Sequence, residues 1–349
     1  MNKAIFLSKE NFCKTYIKGL LKVLENDEKP NLGSFIRVCA NTYFDPSIYS
    51  SAKKQLKIIF ENLVSKYREI FKKGNGELIQ ENDEDLLIFL KIVCIGWDNL
   101  KLTEKRKVGI WNAQFNQIRS FRPKGIAKKP VEEIKSLFDE KDFNFNKPSL
   151  QNERFSEGKL EDEQITLFYN KYPIVEFHTL LVPDRLKNIP QFLHRKYHNH
   201  IWKLTDKLSA NIQGLSFGYN SYGAFASVNH LHFHMFAQKE EFPVMHKDWK
   251  HNGGSKDYPA ACKVFSSPDD SWSYINELHK KNIAYNLLYV QGKVYCFPRK
   301  KQGTYEHSNW TSGFAWYEMS GCMITFNRKD YNMLDEEAIS NEFAKLMIN

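Results

Sequence analysis

The sequence predicts an α+β protein: a helical N-terminal segment followed by a longer region in which short strands alternate with helices. Three observations carry that expectation. Apolar residues recur at helical spacing through the first hundred positions. From Trp111 the texture changes to short strand-like runs closed by turn residues. Within that second region lies His230-Leu231-His232-Phe233-His234, where three imidazoles alternate with two large apolar side chains.

In the N-terminal segment Tyr16, Leu20, Leu21 and Leu24 share one helical stripe. Leu56, Ile59, Phe60, Leu63, Tyr67, Ile70 and Phe71 form a clearer one, broken at Lys73-Gly74-Asn75-Gly76. Asp85 to Cys94 reads as a third, buried helix. No chemical motif appears here. The expected division is a helical extension over residues 1–105, structural or docking a protein partner, and a catalytic domain over 106–349. In the latter, strands are expected at 163–169 and at 177–183, where Pro183 stops the run. A helix follows over 196–212, then strands at 215–219 and 224–236 around the turn-like insert Asn220-Ser221-Tyr222-Gly223. A helix over 272–281 and strands between 286 and 297 complete the region. That last strand pair resembles the one between Leu167 and Pro183, a weak sign of internal duplication.

Composition narrows the function classes. With 349 residues and 42% hydrophobic content the chain can bury a substantial core, and its mixed charge argues against disorder. A net charge of +9 suits a polyanionic ligand without choosing among nucleotide, nucleic acid and anionic membrane. The densest basic runs, Lys105-Arg106-Lys107 and Arg299-Lys300-Lys301, are too short for a nucleic-acid arm. No apolar run approaches the ~20 residues of a membrane span. The six cysteines include no CxxC pair, which speaks against a zinc knuckle. Met1 to Glu10 holds too short an apolar stretch for a secretory signal. The expectation is a reduced, soluble, cytoplasmic protein with no nucleic-acid or membrane partner.

Strict alternation places His230, His232 and His234 on one face of a strand, with Leu231 and Phe233 entering the core behind them. A neutral imidazole is a good nucleophile toward phosphorus. In that reading His232 attacks, while His230 and His234 bind phosphate oxygens or stabilise developing charge. A metal site and a surface ladder without a role are the other two readings, and no carboxylate follows the run before Glu240. Upstream, Asn220, Ser221 and Gly223 lie in a small-residue stretch whose backbone can approach an anion, and Asn229 can donate an amide hydrogen bond. Asn144 and Asn146 alternate with Phe143 and Phe145, as on a strand with one polar face. Lys147 comes next and either reaches a phosphate or stays solvated. Arg119 and Arg122 either bind phosphate or pair with surface acids, and Arg299 and Lys300 read as surface charge. His178, in an apolar strand, reads as a satisfied core residue; His194 and His198, four apart, read as one polar helix face.

The HxHxH strand followed by two apolar residues resembles the histidine-triad superfamily of nucleotide hydrolases and transferases. The run from Gly218 to His232 is more specific. It resembles the GDP-hexose phosphorylases, both the GDP-D-glucose and the GDP-L-galactose type. Phe143 to Lys147, Pro173 to Pro183 and Ala284 to Leu288 agree in order, so the resemblance runs from about Trp111 to the C-terminus. It implies an antiparallel sheet with flanking helices, of the histidine-triad and galactose-1-phosphate uridylyltransferase-like kind, and no cofactor or metal. It further implies a two-step transfer between a nucleotide-sugar and inorganic phosphate, through a covalent nucleotidyl-histidine at His232. His178 acquires a place beside the nucleotide. His234 at the third position matches the animal type, and because hydrolytic triad proteins also carry His there, water remains open as an acceptor. Two departures bear on the pocket: Phe177 stands where the family usually has Gly, and Met235-Phe236-Ala237 replaces a bulkier Tyr-Tyr-Leu. The hexose and the base stay open, as does loss of turnover in a protein kept for binding alone.

Overall fold

The computed structural model describes residues 3–25, 31–74, 82–123 and 130–348. Helices α1 (Lys9–Glu25), α2 (Leu32–Phe44), α3 (Pro46–Lys72) and α4 (Asp83–Ile95) come first. α1, α3 and α4 cover the three expected stretches. α3 starts cleanly because Asp45 caps it, accepting from the Ser47 N–H at 2.8 Å, and Pro46 occupies the first turn. The break expected at its end begins at the cap residue Lys73; Asn75 and Gly76 lie outside the described residues. α2 has no counterpart in the periodicity because Leu32 and Ser34 through Phe44 are all buried, which leaves no polar stripe to read.

The remaining elements are β1 (Glu104–Val108), β2 (Trp111–Phe115), α5 (Gln117–Ser120), β3 (Arg154–Leu160), β4 (Glu163–Tyr169), β5 (Thr179–Pro183), α6 (Arg195–Ser209), β6 (Leu215–Asn220), β7 (Phe233–Ala237), β8 (Lys263–Phe265), α7 (Pro268–Lys280), β9 (Ala284–Val290), β10 (Lys293–Arg299), α8 (Trp316–Met319), β11 (Cys322–Thr325), α9 (Arg328–Met333) and α10 (Glu336–Leu346). Eight strands form one antiparallel sheet in the order β3-β4-β5-β7-β6-β9-β10-β8. A smaller sheet, β1-β2-β11, joins β11 to β2 in parallel. The two strand pairs that resemble each other in sequence, β4–β5 and β9–β10, flank the central β7–β6 pair on opposite sides.

The sheet is covered on both faces. Leu231, Phe233 and Met235 pack into a core shared with Tyr16 and Leu20 of α1, Phe35 of α2 and Ile92 of α4. The N-terminal helices therefore share one continuous apolar core with the sheet. On the other face Phe236 joins Trp316, Phe297 and Phe343 in a second core. No described helix is long and apolar enough to cross a membrane.

Four local expectations are corrected. Arg299, expected as surface charge, is fully buried, its guanidinium donating to the Phe314 carbonyl and to Tyr305 Oη. The strand expected over 224–236 exists only as β7; residues 221–232 run as turns and bends. Their backbone bonds go to another loop and to a side chain instead of a ladder. Leu231 N–H donates to the Ile189 carbonyl at 2.8 Å, and His232 N–H to Gln191 Oε1 at 2.9 Å. Residues 143–147 form a turn, not a strand, because Asn144 Oδ1 accepts the Asn146 N–H at 3.0 Å. His198 is fully buried instead of sitting on a polar helix face: it bonds Tyr289 Oη at 2.8 Å and Ser271 Oγ at 2.9 Å, tying α6 to β9 and α7.

Gly218 on β6 lies opposite His234 on β7. A Cβ there would come within 2.2 Å of the Trp316 indole, so the glycine makes room for the aromatic ring that roofs β7. Gly218→Ala is expected to lose about 1–3 kcal/mol of stability through overpacking. Urea denaturation reads this directly, and an unchanged midpoint would show that Trp316 is free to move aside.

Candidate active site

His232 is 3% exposed and lines a cavity of about 730 Å³. Its Nδ1 lies 2.8 Å from the His230 carbonyl oxygen. A carbonyl only accepts, so Nδ1 carries the proton and Nε2 is left with its lone pair. Burial lowers the ring's pKa from near 6.5 to about 4, so it is neutral at ordinary pH. Gln191 holds the same residue by its backbone. The Gln191 Oε1 accepts the His232 N–H, and its Nε2 donates to the carbonyls of His232 at 3.3 Å and Asn220 at 2.8 Å.

A second histidine pair stands beside it. The Ile174 N–H donates to His178 Nδ1 at 3.3 Å. The neutral His178 ring therefore carries its proton on Nε2, which donates to His234 Nδ1 at 2.9 Å. His234 in turn keeps its proton on Nε2, the one nitrogen left to donate. Both rings line the cavity with His232, and the His232 and His234 centroids are 5.5 Å apart. Burial, aided for His178 by the neighbouring Arg119 charge, pushes its pKa down to about 3. His234 is lowered for the same first reason, then by His178.

His230 does not share the ledge. It is fully buried, lies outside the cavity lining and packs against Phe138 and Phe145, with Nδ1 accepting the Phe145 N–H at 3.3 Å. The expected single face of three imidazoles fails because residues 230–232 are not a strand. What His230 supplies is the carbonyl that sets the His232 tautomer.

The other anticipated residues divide in the same way. Asn220, His178 and Arg122 line the cavity. Asn220 Oδ1 is committed to Asn286 Nδ2 at 2.7 Å and the Trp316 N–H at 2.8 Å. Arg122 pairs with Glu84 at 3.2 Å and lies over the Tyr172 ring. Asn229, Ser221, Gly223, Asn146 and Lys147 lie outside the cavity lining. Asn229 accepts the Gln191 N–H at 3.0 Å, Ser221 Oγ accepts the Tyr285 N–H at 2.9 Å, and Gly223 has a φ of 88° that suits its turn. Asn146 bonds Asn188 at 2.7 Å, and Lys147 Nζ donates to the Glu140 carbonyl at 2.8 Å. These residues shape loops around the site.

Sequence reasoning left Arg119 undecided and passed over Gln191, Trp316 and Glu318. Four cationic side chains line the cavity: Arg37, Arg119, Arg122 and Lys171. Three are ion-paired, with Glu153, Glu84 and Asp85 respectively for Arg37, Arg122 and Lys171. Arg119 has no acidic partner among the described residues; Nη1 donates to the Tyr172 carbonyl at 3.1 Å, and Nε has no partner. It has no ion pair of its own beside the histidines, and Glu318, buried in the same cavity lining, acts on it through space. Among the described residues no group of three or more His, Cys, Asp or Glu side chains is arranged to hold a metal ion.

A neutral imidazole with a free lone pair, a second imidazole presenting a proton and an unpaired guanidinium share one cavity on an antiparallel sheet. This fold and site define an α+β protein with a buried histidine centre at the middle of an antiparallel sheet. The fold is similar to the crystal structure of yeast Ap4A phosphorylase Apa2, with a TM-score of 0.50 and 16% identity over 77% of this chain and 96% of that one. Residues 109–236 match the GDPGP1-like N-terminal domain and residues 271–349 the GDPGP1-like C-terminal domain. The chain belongs to the GDPGP1-like family. It is 26% identical over 301 residues to GDP-D-glucose phosphorylase 1 of Danio rerio, covering 72% of this chain and 84% of that protein. It is 25% identical over 280 residues to GDP-L-galactose phosphorylase 2 of Arabidopsis thaliana, covering 68% and 64%.

The cavity histidines set a pH dependence. The folded pKa of His232 lies below its unfolded value, so the unfolded chain takes up the proton first. Stability is therefore complete above about pH 6.5 and declines as pH falls toward 4. By NMR titration, the His178 and His232 imidazoles are expected to stay neutral down to about pH 5. Titration of His232 near 6.5 would contradict the buried, neutral ring.

Proposed function

We propose that this chain is a nucleotidyl-transferring phosphorylase of a GDP-hexose, of the GDP-glucose type. The observation that carries this reading is the His232 tautomer: Nδ1–H is held by the His230 carbonyl and Nε2 is free beside a cavity large enough for a nucleotide-sugar. Family membership supplies the donor class.

His232 Nε2 attacks the α-phosphorus. A P–N bond forms, the bond from that phosphorus to the bridging oxygen breaks, and hexose 1-phosphate leaves with the electron pair. Inorganic phosphate then attacks the same phosphorus; the P–N bond breaks and GDP departs, restoring the neutral imidazole. Dividing the transfer into two displacements predicts ping-pong kinetics. The attached nucleotide leaves imidazole positively charged at the reacting nitrogen, and the His230 carbonyl at 2.8 Å stabilises that charge through the Nδ1–H. The Nε2–H of His234 and the Arg119 guanidinium donate to the non-bridging oxygens, where charge gathers during each displacement. Both do so in a site of restricted water access. The six cysteines are all free thiols, which supports a reducing, cytoplasmic setting.

Purified protein incubated with GDP-glucose and phosphate is expected to release GDP and glucose 1-phosphate. His232→Ala should lower turnover by about 10³-fold or more. Arg119→Met, with similar length and no charge, should lower kcat/KM by about 10²-fold. GMP as the product with or without phosphate would instead identify water as the acceptor. Full turnover by His232→Ala would remove the proposed nucleophile.

A further inference from the structure

The cavity extends beyond the histidines to a wall to which helices α2 and α4 contribute. A continuous path of contacts marks its direction. Asn170 Nδ2 lies 3.3 Å from His178 Nε2 and its carbonyl accepts from Asn41 Nδ2 of α2 at 2.9 Å. The next residue, Lys171, pairs with Asp85 of α4. Arg37 of α2 pairs with Glu153, and all four of these charged residues line the cavity. Arg37 and Asp85 are 3% and 6% exposed, so these are buried polar groups and not surface ion pairs. Two Arg37 nitrogens, Nε and Nη1, have no hydrogen-bond partner.

This wall differs in kind from the region around His232. There, among the described residues, Arg119 has no ion pair of its own and Nε has no partner. Here each cation has its acid, so the wall carries no net charge to hold a phosphate. It instead sets donors (Arg37, Lys171) beside acceptors (Asp85, Glu153). A hydroxyl group both donates and accepts, so several hydroxyls on one small ring are satisfied by such an alternation. Buried charges kept at a cavity wall are costly unless fully bonded, and a ligand that completes their bonding recovers part of that cost.

We infer that two N-terminal helices, α2 and α4, help to build the hexose subsite: Arg37 and Asp85, with Glu153 before β3 and Lys171 after β4, bind the sugar hydroxyls of the donor while Arg119 and the histidines hold its phosphates. The inference rests on the functional reading above and adds to it the residues that recognise the saccharide. It also gives the N-terminal segment a role in the reaction.

Ping-pong chemistry allows the sugar to be tested apart from the nucleotide. Exchange of radiolabelled phosphate into GDP needs no hexose, whereas synthesis of GDP-glucose from GDP and glucose 1-phosphate does. In full-length Asp85→Asn and Lys171→Gln variants, the KM for glucose 1-phosphate is expected to rise about tenfold, the loss of one charge-assisted hydrogen bond. The phosphate–GDP exchange should keep its rate and its KM for GDP within about twofold. Should one variant fail to fold, the other reads the same wall. A raised KM for GDP in the exchange would place the guanine there and overturn the inference, as would an unchanged KM for glucose 1-phosphate. A wild-type protein that catalyses neither exchange nor synthesis would instead overturn the functional reading itself, a distinguishable result.

Discussion

One hydrogen bond organises the site: His232 Nδ1–H to the carbonyl of His230, two residues earlier. It fixes which nitrogen carries the proton and so which nitrogen keeps its lone pair. The bond spans residues 230–232, which lie outside the sheet. Gln191 holds the segment from behind through three hydrogen bonds, and Asn229 anchors Gln191 in turn. Only from Phe233 onward does the chain join the sheet, where Leu180 and Gly218 flank His234 in register. Gly218 admits Trp316, which lies 5.8 Å from the His234 ring and stacks on Phe236 at 4.9 Å. The geometry of the His232 and His234 rings thus rests on a loop bond, a glutamine clamp and an aromatic roof.

The N-terminal helices are bound to this arrangement through His178. Its carbonyl accepts from Tyr16 Oη of α1 at 3.2 Å, and its ring orients His234. Phe177, just before it, has a φ of 52°, in the left-handed region that favours glycine. The resemblance to the GDP-hexose phosphorylases leads one to expect glycine at this position, and the backbone supplies the reason. Here a phenylalanine takes the strained conformation. Its ring packs edge-on against Phe12 and Tyr16 at 6.1 and 5.4 Å, and that aromatic burial offsets the backbone cost. The departure from the family pattern and the α1 aromatic residues are therefore one structural feature.

Much of this was legible in the residues. Alternation in the histidine run correctly placed Leu231 and Phe233 in the core, and the Gly218 to His232 run pointed to the family. Local pattern could not reveal that His230 faces inward, because the bonds that turn the loop come from Ile189 and Gln191, far along the chain. Arg119 and Arg122 are three residues apart and look alike. Only the fold shows that Glu84 reaches Arg122 and leaves Arg119 unpaired. Lys147 read equally as a phosphate ligand or a solvated charge until the Asx turn at Asn144 placed it, with Asn146, outside the cavity lining. The cavity wall formed by Arg37 and Asp85 left no trace in the sequence, since its members come from separate helices and form no motif.

The most direct test of the account is the intact mass of the protein mixed with GDP-glucose in the absence of phosphate. A mass increase of one GMP unit, mapped to His232 by peptide analysis and discharged to GDP by added phosphate, is the predicted result. Turnover without such an adduct, or an adduct carried by another residue, would contradict the claim that His232 Nε2 is the attacking atom.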